Sequence, residues 1–108
     1  MRGKHLLVDL KTDVKINTIE DVEPLMTDII KVANLNVIDT SKYQFKPHGA
    51  TILYLLAESH LSIHTYPENN FVAMDLYCCN PNINFEPIIE IINKYFNSNL
   101  KSFILNRK

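Results

Sequence analysis

The chain has 108 residues, enough for a single domain with a modest core. Its 11 Lys plus Arg against 12 Asp plus Glu leave a formal net charge of −1, which excludes the basic excess of a general nucleic-acid binder. Only two glycines occur, so there is no Gly-rich phosphate loop and no nucleotide-triphosphate or Rossmann-type site.

Met1-Arg2-Gly3-Lys4-His5 runs directly into an apolar segment without an h-region, so no signal peptide is expected. His5 to Leu10 reads as a strand. A helix begins between Ile19 and Val22, with Thr18 or Asp21 as its cap and Pro24 expected in its first turn. Leu25, Met26, Ile29, Ile30 and Ala33 form its apolar face. Asn36 to Gln44 is a second strand, and Phe45-Lys46-Pro47-His48-Gly49 a loop. Ala50 to Ala57 is apolar on both pleat faces, which predicts a central strand covered on both sides. The run Ile52 to Ala57 is too short to span a membrane. Residues 60–66 alternate polar and apolar as a strand does, Pro67 to Asn70 turns, and Phe71 to Cys79 is another strand. A second helix is expected from Phe85 to Phe96, capped by Asn84, and Lys101 to Leu105 is a last strand.

The order β-α-β-β-β-β-α-β predicts one α+β domain over residues 1–108. We expect a two-layer sandwich, a mainly antiparallel sheet with both helices on one face. A domain this small gains from covering its other face with a partner, and a homodimer is the simplest symmetric solution. Cys78 and Cys79 are adjacent, so a disulfide between them and a four-ligand zinc site are both ruled out. Free thiols and the missing signal peptide point to the cytoplasm, with neither nucleic acid nor membrane as a partner.

The chemistry concentrates on the 60–66 strand. Its polar face carries His60, Ser62, His64 and Tyr66, flanked by Glu58, Ser59 and Glu68. A solvent-exposed polar face would show the same spacing. A metal held by His60 and His64 fails, because in a strand their rings stand about 13 Å apart. A Ser-His hydrolase is weak, since Ser59 lacks the glycines of a nucleophile elbow.

The run Glu58-Ser59-His60-Leu61-Ser62-Ile63-His64-Thr65-Tyr66-Pro67-Glu68 resembles the processing signature of the prokaryotic S-adenosylmethionine decarboxylases. The resemblance extends through Phe45-Lys46-Pro47-His48-Gly49 upstream and Ala73-Met74-Asp75-Leu76-Tyr77-Cys78-Cys79 downstream, and includes Gly3-Lys4-His5-Leu6. It implies a proenzyme that cleaves itself between Glu58 and Ser59. The Ser59 hydroxyl attacks the Glu58 carbonyl carbon, turning the amide into an ester. β-Elimination and hydrolysis then leave a covalent pyruvoyl group at residue 59 and release ammonia. Residues 1–58 would form one chain and residues 59–108 the other.

Each further role is carried by the resemblance. His64 would be the processing base and Thr51 the hydroxyl that supports the tetrahedral intermediate; Thr51 adds a methyl that would slow the step. The pyruvoyl carbonyl would form a Schiff base with the α-amine of S-adenosylmethionine and act as electron sink for decarboxylation. Cys79 would donate the proton that replaces CO₂. Phe45 would stack on the adenine and Glu68 would accept from the ribose hydroxyls. The product is an aminopropyl donor for spermidine synthesis, and the resemblance implies a homodimer of cleaved protomers. Tyr66, Asn69-Asn70 and Cys78 depart from the usual pattern near the pocket. Two alternatives stay open: a pyruvoyl-dependent ornithine or arginine decarboxylase, and a regulatory subunit that does not cleave. Ser59 and His64 differ by an odd number, so one flat strand sets them on opposite faces, and a turn or bulge is predicted at Glu58-Ser59.

Overall fold

The computed structural model describes residues 3–97 and 101–107. The elements follow the predicted order. They are β1 (Gly3–Lys11), α1 (Ile19–Val32), β2 (Val37–Gln44), β3 (Ala50–Leu56), β4 (Ser59–Tyr66), β5 (Phe71–Cys78), α2 (Glu86–Phe96) and β6 (Lys101–Arg107), with a short 3₁₀ turn at Pro67–Asn69. The six strands form one sheet in the order β2-β3-β4-β5-β1-β6, and every neighbouring pair is antiparallel.

Alternation decides the two faces. Leu6, Val8 and Leu10 of β1, Ile52, Tyr54 and Leu56 of β3, Leu61 and Ile63 of β4, and Val72, Met74 and Leu76 of β5 point one way and are buried. Val22, Leu25, Met26 and Ile29 of α1 and Ile88, Ile92 and Phe96 of α2 pack onto them. Among the described residues the opposite face carries no helix. Leu53 and Leu55 lie on it at 45% and 54% exposure, so the expectation that β3 is covered on both sides fails within one protomer. Apolar residues on both pleat faces signal burial on both only if a second layer exists, and this chain has helices enough for one.

The start of α1 falls where expected, but the place of Pro24 and the cap of α2 differ from expectation. Thr18 caps α1 and Asp21 completes a capping box, the Thr18 hydroxyl accepting from the Asp21 amide at 3.2 Å and the Asp21 carboxylate accepting from the Thr18 amide at 3.0 Å. That box starts the helix at Ile19, so Pro24 falls inside it, in the second turn rather than the first. At α2 the cap position is Phe85, one residue after Asn84. The Asn84 side chain still accepts the Glu86 amide at 3.0 Å. Gln44 ties the end of β2 to the start of α1. Its Oε1 accepts from Ile19 N at 2.9 Å and its Nε2 donates to Asn17 O at 3.0 Å. No helix among the described residues is long and apolar enough to cross a membrane.

Candidate active site

Ala57 and Glu58 form the two-residue turn of the β3–β4 hairpin, and Ser59 already pairs with Leu56. The predicted break therefore lies one residue earlier than Glu58-Ser59, in the turn itself. Glu58 has φ 62, a left-handed backbone that a two-residue turn commonly gives to Gly or Asn. A non-glycine residue held there stores about 1 kcal/mol of strain next to the Glu58–Ser59 peptide.

β5 delivers Cys79 to the same place. The His60–Tyr77 pairing carries the chain past the hairpin tip, just beyond the end of β5 at Cys78. The Cys79 amide donates to Ser59 Oγ at 3.2 Å, and its thiol donates to the Glu58 carbonyl oxygen at 2.6 Å. The Ser59 hydroxyl, the Glu58 carbonyl and the Cys79 thiol thus form one cluster. The thiol points at the oxygen on which negative charge would develop.

Thr51 and His64 face each other in the β3–β4 register on the open face, with Thr51 Oγ1 3.1 Å from His64 Nδ1. They share a cavity of about 340 Å³ with Phe45, Gly49 and Glu68. Gly49 has φ 120 and bends the β2–β3 loop so that Phe45 N donates to Gly49 O at 2.8 Å. Phe45 packs edge-on against Tyr43, with ring centroids 4.7 Å apart. Glu68 stands in the 3₁₀ turn that follows β4.

The predicted residues therefore fall into two groups. Glu58, Ser59 and Cys79 sit at one end of β4, and Thr51, His64, Phe45 and Glu68 at the other. Five residue steps of strand separate Ser59 from His64, about 16 Å at the usual rise. The early turn does not bring His64 to Ser59 within the protomer. Spacing along the sequence conveys neither fact, because both depend on where the hairpin ends.

A third group escaped the sequence reading. His5, His60, Ser62 and Asp75 converge on the open face from three adjacent strands. His5 Nε2 and His60 Nε2 each lie 2.7 Å from Asp75 Oδ2, and Ser62 donates to Asp75 Oδ1. Burial raises the Asp75 pKa, but the hydrogen bonds from Ser62, His5 and His60 outweigh it and hold the carboxyl below its usual range. The sole sequence signal was the even spacing of His60 and Ser62. The pairing of β4 and β1 on either side of β5 was not legible.

Comparisons with known proteins agree with this geometry. The S-adenosylmethionine decarboxylase family matches residues 4–107. The S-adenosylmethionine decarboxylase proenzyme of Aquifex aeolicus is 49% identical over 79 residues, spanning 71% of this chain and 58% of its own length. A Bacillus anthracis proenzyme of the same description is 47% identical over 92 residues, covering 82% of this chain and 72% of its own. The crystal structure of the Aquifex aeolicus adenosylmethionine decarboxylase superposes with a TM-score of 0.84 at 37% identity, over 95% of this chain and 88% of that one. With the hairpin, the Ser59–Cys79 cluster and these matches in place, the chain belongs to the S-adenosylmethionine decarboxylase family.

Proposed function

We propose that this chain is a self-cleaving proenzyme whose mature form decarboxylates S-adenosylmethionine, supplying the aminopropyl donor for spermidine synthesis. The observation that carries the reading is the cluster at the hairpin tip, where Ser59 Oγ, the Glu58 carbonyl and the Cys79 thiol meet. Ser59 sits beside the peptide it must attack. The Cys79 thiol stabilises the oxygen of that carbonyl as it becomes tetrahedral. The left-handed Glu58 raises the energy of the uncut peptide and relaxes when the bond breaks.

Position 59 fits a pyruvoyl group. Its precursor is a serine with a free path to its own carbonyl neighbour, and a thiol acid stands within reach of the site. When formed, the group supplies a carbonyl for the substrate amine and a sink for the electrons left by CO₂. Cys79 then delivers a proton to the substrate carbon, as its place beside residue 59 allows. Phe45 offers an aromatic face and Glu68 an acceptor pair for an adenosine, both in the cavity that holds His64 and Thr51. Their presence together favours S-adenosylmethionine over ornithine or arginine, which have no base to stack and no ribose.

His64 and Thr51 act, in this reading, on the Ser59 of a second copy. A two-fold dimer built on the open faces sets one end of β4 against the other end of its partner's. Leu53, Leu55, Tyr43 and Tyr66 give that face its apolar area. The free thiols of Cys78 and Cys79 suit a cytoplasmic enzyme.

Intact-mass measurement and a CO₂-release assay test the proposal. The purified wild type is expected as two fragments, residues 1–58 and 59–108, and Ser59→Ala as one uncut chain. Activity on S-adenosylmethionine is expected to exceed that on ornithine or arginine. A wild type that stays full-length refutes the enzyme reading in favour of a regulatory subunit. Activity confined to a basic amino acid refutes the substrate.

A further inference from the structure

Self-cleavage between Glu58 and Ser59 would make two new groups. One is at residue 59. The other is the α-carboxylate of Glu58, the end of the first chain, and the cleavage and decarboxylation steps make no use of it. The fold fixes where it forms. Ala57 N donates to Asn36 O at 3.2 Å, and Leu56, one residue earlier, is the buried end of β3. Neither anchor involves the bond that breaks, so Glu58 stays one residue beyond a held backbone. Its carbonyl oxygen already accepts from the Cys79 thiol at 2.6 Å, and the Cys79 amide stands 3.2 Å from Ser59 Oγ. After the cut that oxygen belongs to a carboxylate, within reach of the same thiol.

A thiol acid beside residue 59 faces a difficulty. The site gathers positive charge once the substrate amine joins residue 59, and a positive neighbour favours thiolate over thiol. A thiolate has no proton to give. It is also a nucleophile beside a reactive carbonyl, and an S–C bond there would shut the substrate out. Cys79 serves as an acid only if its ionised form is disfavoured.

The titratable and charged groups around Cys79 come from four strands and the hairpin tip. They are Glu58, Tyr77 of β5 with His60 of β4 beside its ring, Arg107 of β6 over that ring, and Lys4 of β1 opposite Cys78. Asp75, bonded to His5 and His60, lies beyond Tyr77. The dimer reading adds His64 of the second copy. Of these, the group in hydrogen-bond contact with the sulfur is Glu58, through its main-chain oxygen.

We propose, resting on the pyruvoyl reading, that the α-carboxylate left on Glu58 by self-cleavage is a positioning group for Cys79, accepting its S–H and keeping the thiol protonated until the substrate carbon takes the proton. Before the cut the oxygen is part of a neutral amide. Afterwards a thiolate would face an anion about 3 Å away, which disfavours ionisation by about tenfold even in fully aqueous surroundings. The acid is thus armed by the same reaction that makes the electron sink. In the transfer the S–H bond breaks, a C–H bond forms at the substrate carbon, and sulfur keeps the electron pair. Each turnover consumes one proton from solvent, which restores the thiol, and the neighbouring carboxylate favours that return.

The test reads the thiol itself, with activity as a separate measurement. A Cys78→Ser background leaves one free thiol to follow. Alkylation of Cys79 by iodoacetamide is measured from about pH 7.5 to about pH 10.5, above the range in which an ordinary histidine titrates. Each rate is divided by the same chain's plateau at high pH, which removes differences in access. At about pH 8 the matured chain is expected to react about tenfold less, relative to its plateau, than the uncut Ser59→Ala chain. Borohydride reduces the carbonyl of residue 59 to an alcohol and leaves Glu58 untouched, so it is expected to preserve the difference. Equal relative rates in the matured and uncut chains overturn the proposal. A difference that borohydride abolishes also overturns it, because the ketone and not the carboxylate would then be the cause. A wild type that stays full-length, or that cleaves without releasing CO₂, sinks the reading beneath and this one with it. A cleaved, active enzyme whose Cys79 behaves as in the uncut chain sinks this one alone.

Discussion

The separation of Ser59 from His64 makes a prediction about which copy cleaves which. A general base works within about 3 Å of the proton it takes. Five residue steps of strand, about 16 Å, separate the two positions in one protomer, and β3 and β5 pin β4 on both sides. His64→Ala alone is expected to slow cleavage by a factor between about 10² and 10⁴. Ser59→Ala alone is expected to stay uncut. Co-expression of the two, carrying different affinity tags, produces heterodimers in which the intact Ser59 of one chain faces the intact His64 of the other. With random pairing about half of the His64→Ala chains find such a partner. Up to about half of them should therefore appear as fragments on a denaturing gel, while the Ser59→Ala chains stay whole. If the His64→Ala chain remains uncut in mixtures that form heterodimers, the reasoning fails. It fails equally if His64→Ala alone cleaves as fast as wild type.

Further outcomes follow from single contacts. Cys79→Ala removes the thiol donor at the Glu58 carbonyl, so self-cleavage should slow by about tenfold, the worth of one hydrogen bond. Turnover of whatever chain matures should fall by about a hundredfold or more; equal losses in both, followed by quantitative densitometry and CO₂ release, would contradict two separate roles. Glu58→Gly relieves the left-handed backbone and should raise the stability of an uncut Ser59→Ala background by about 1 kcal/mol, measured by thermal denaturation. A lowered melting temperature would show that the turn is not strained. Asp75 has a folded pKa below its unfolded value of 3.8, so its contribution to stability is present above that value and is lost as the pH falls through the lower folded value. Asp75→Asn should therefore lower stability at neutral pH and flatten the decline below pH 3.8, as read by denaturant titrations across that range.

Much of the fold was legible because it rests on local patterning. Thr18 with Asp21, the apolar stripe of α1, and the alternation of Leu61 and Ile63 with His60, Ser62 and His64 are near-neighbour properties, and they placed every element in order. Pro24 was misplaced because capping, not proline, decides where a helix starts, and Thr18 caps one turn earlier than proline alone would require. β3 was misjudged because hydrophobicity reports the wish to be buried. It does not say whether the covering layer belongs to the same chain.

The candidate site divides the same way. The resemblance of residues 58–68 and their flanks to the family's processing signature is what singled out Ser59, His64 and Cys79, because residue chemistry and spacing alone left a plain exposed polar face open. Two things depended on strand register: that Cys79 meets Ser59 across a hairpin tip, and that His64 stands about 16 Å away. The gathering of His5, His60 and Asp75 around one carboxylate oxygen depended on it as well. Register is set by turns and long-range pairing between segments up to seventy residues apart, as in the His5–Asp75 contact. The resemblance that points to cleavage chemistry thus lies in the order of residues, while the meeting of distant side chains waits on the sheet that brings their strands together.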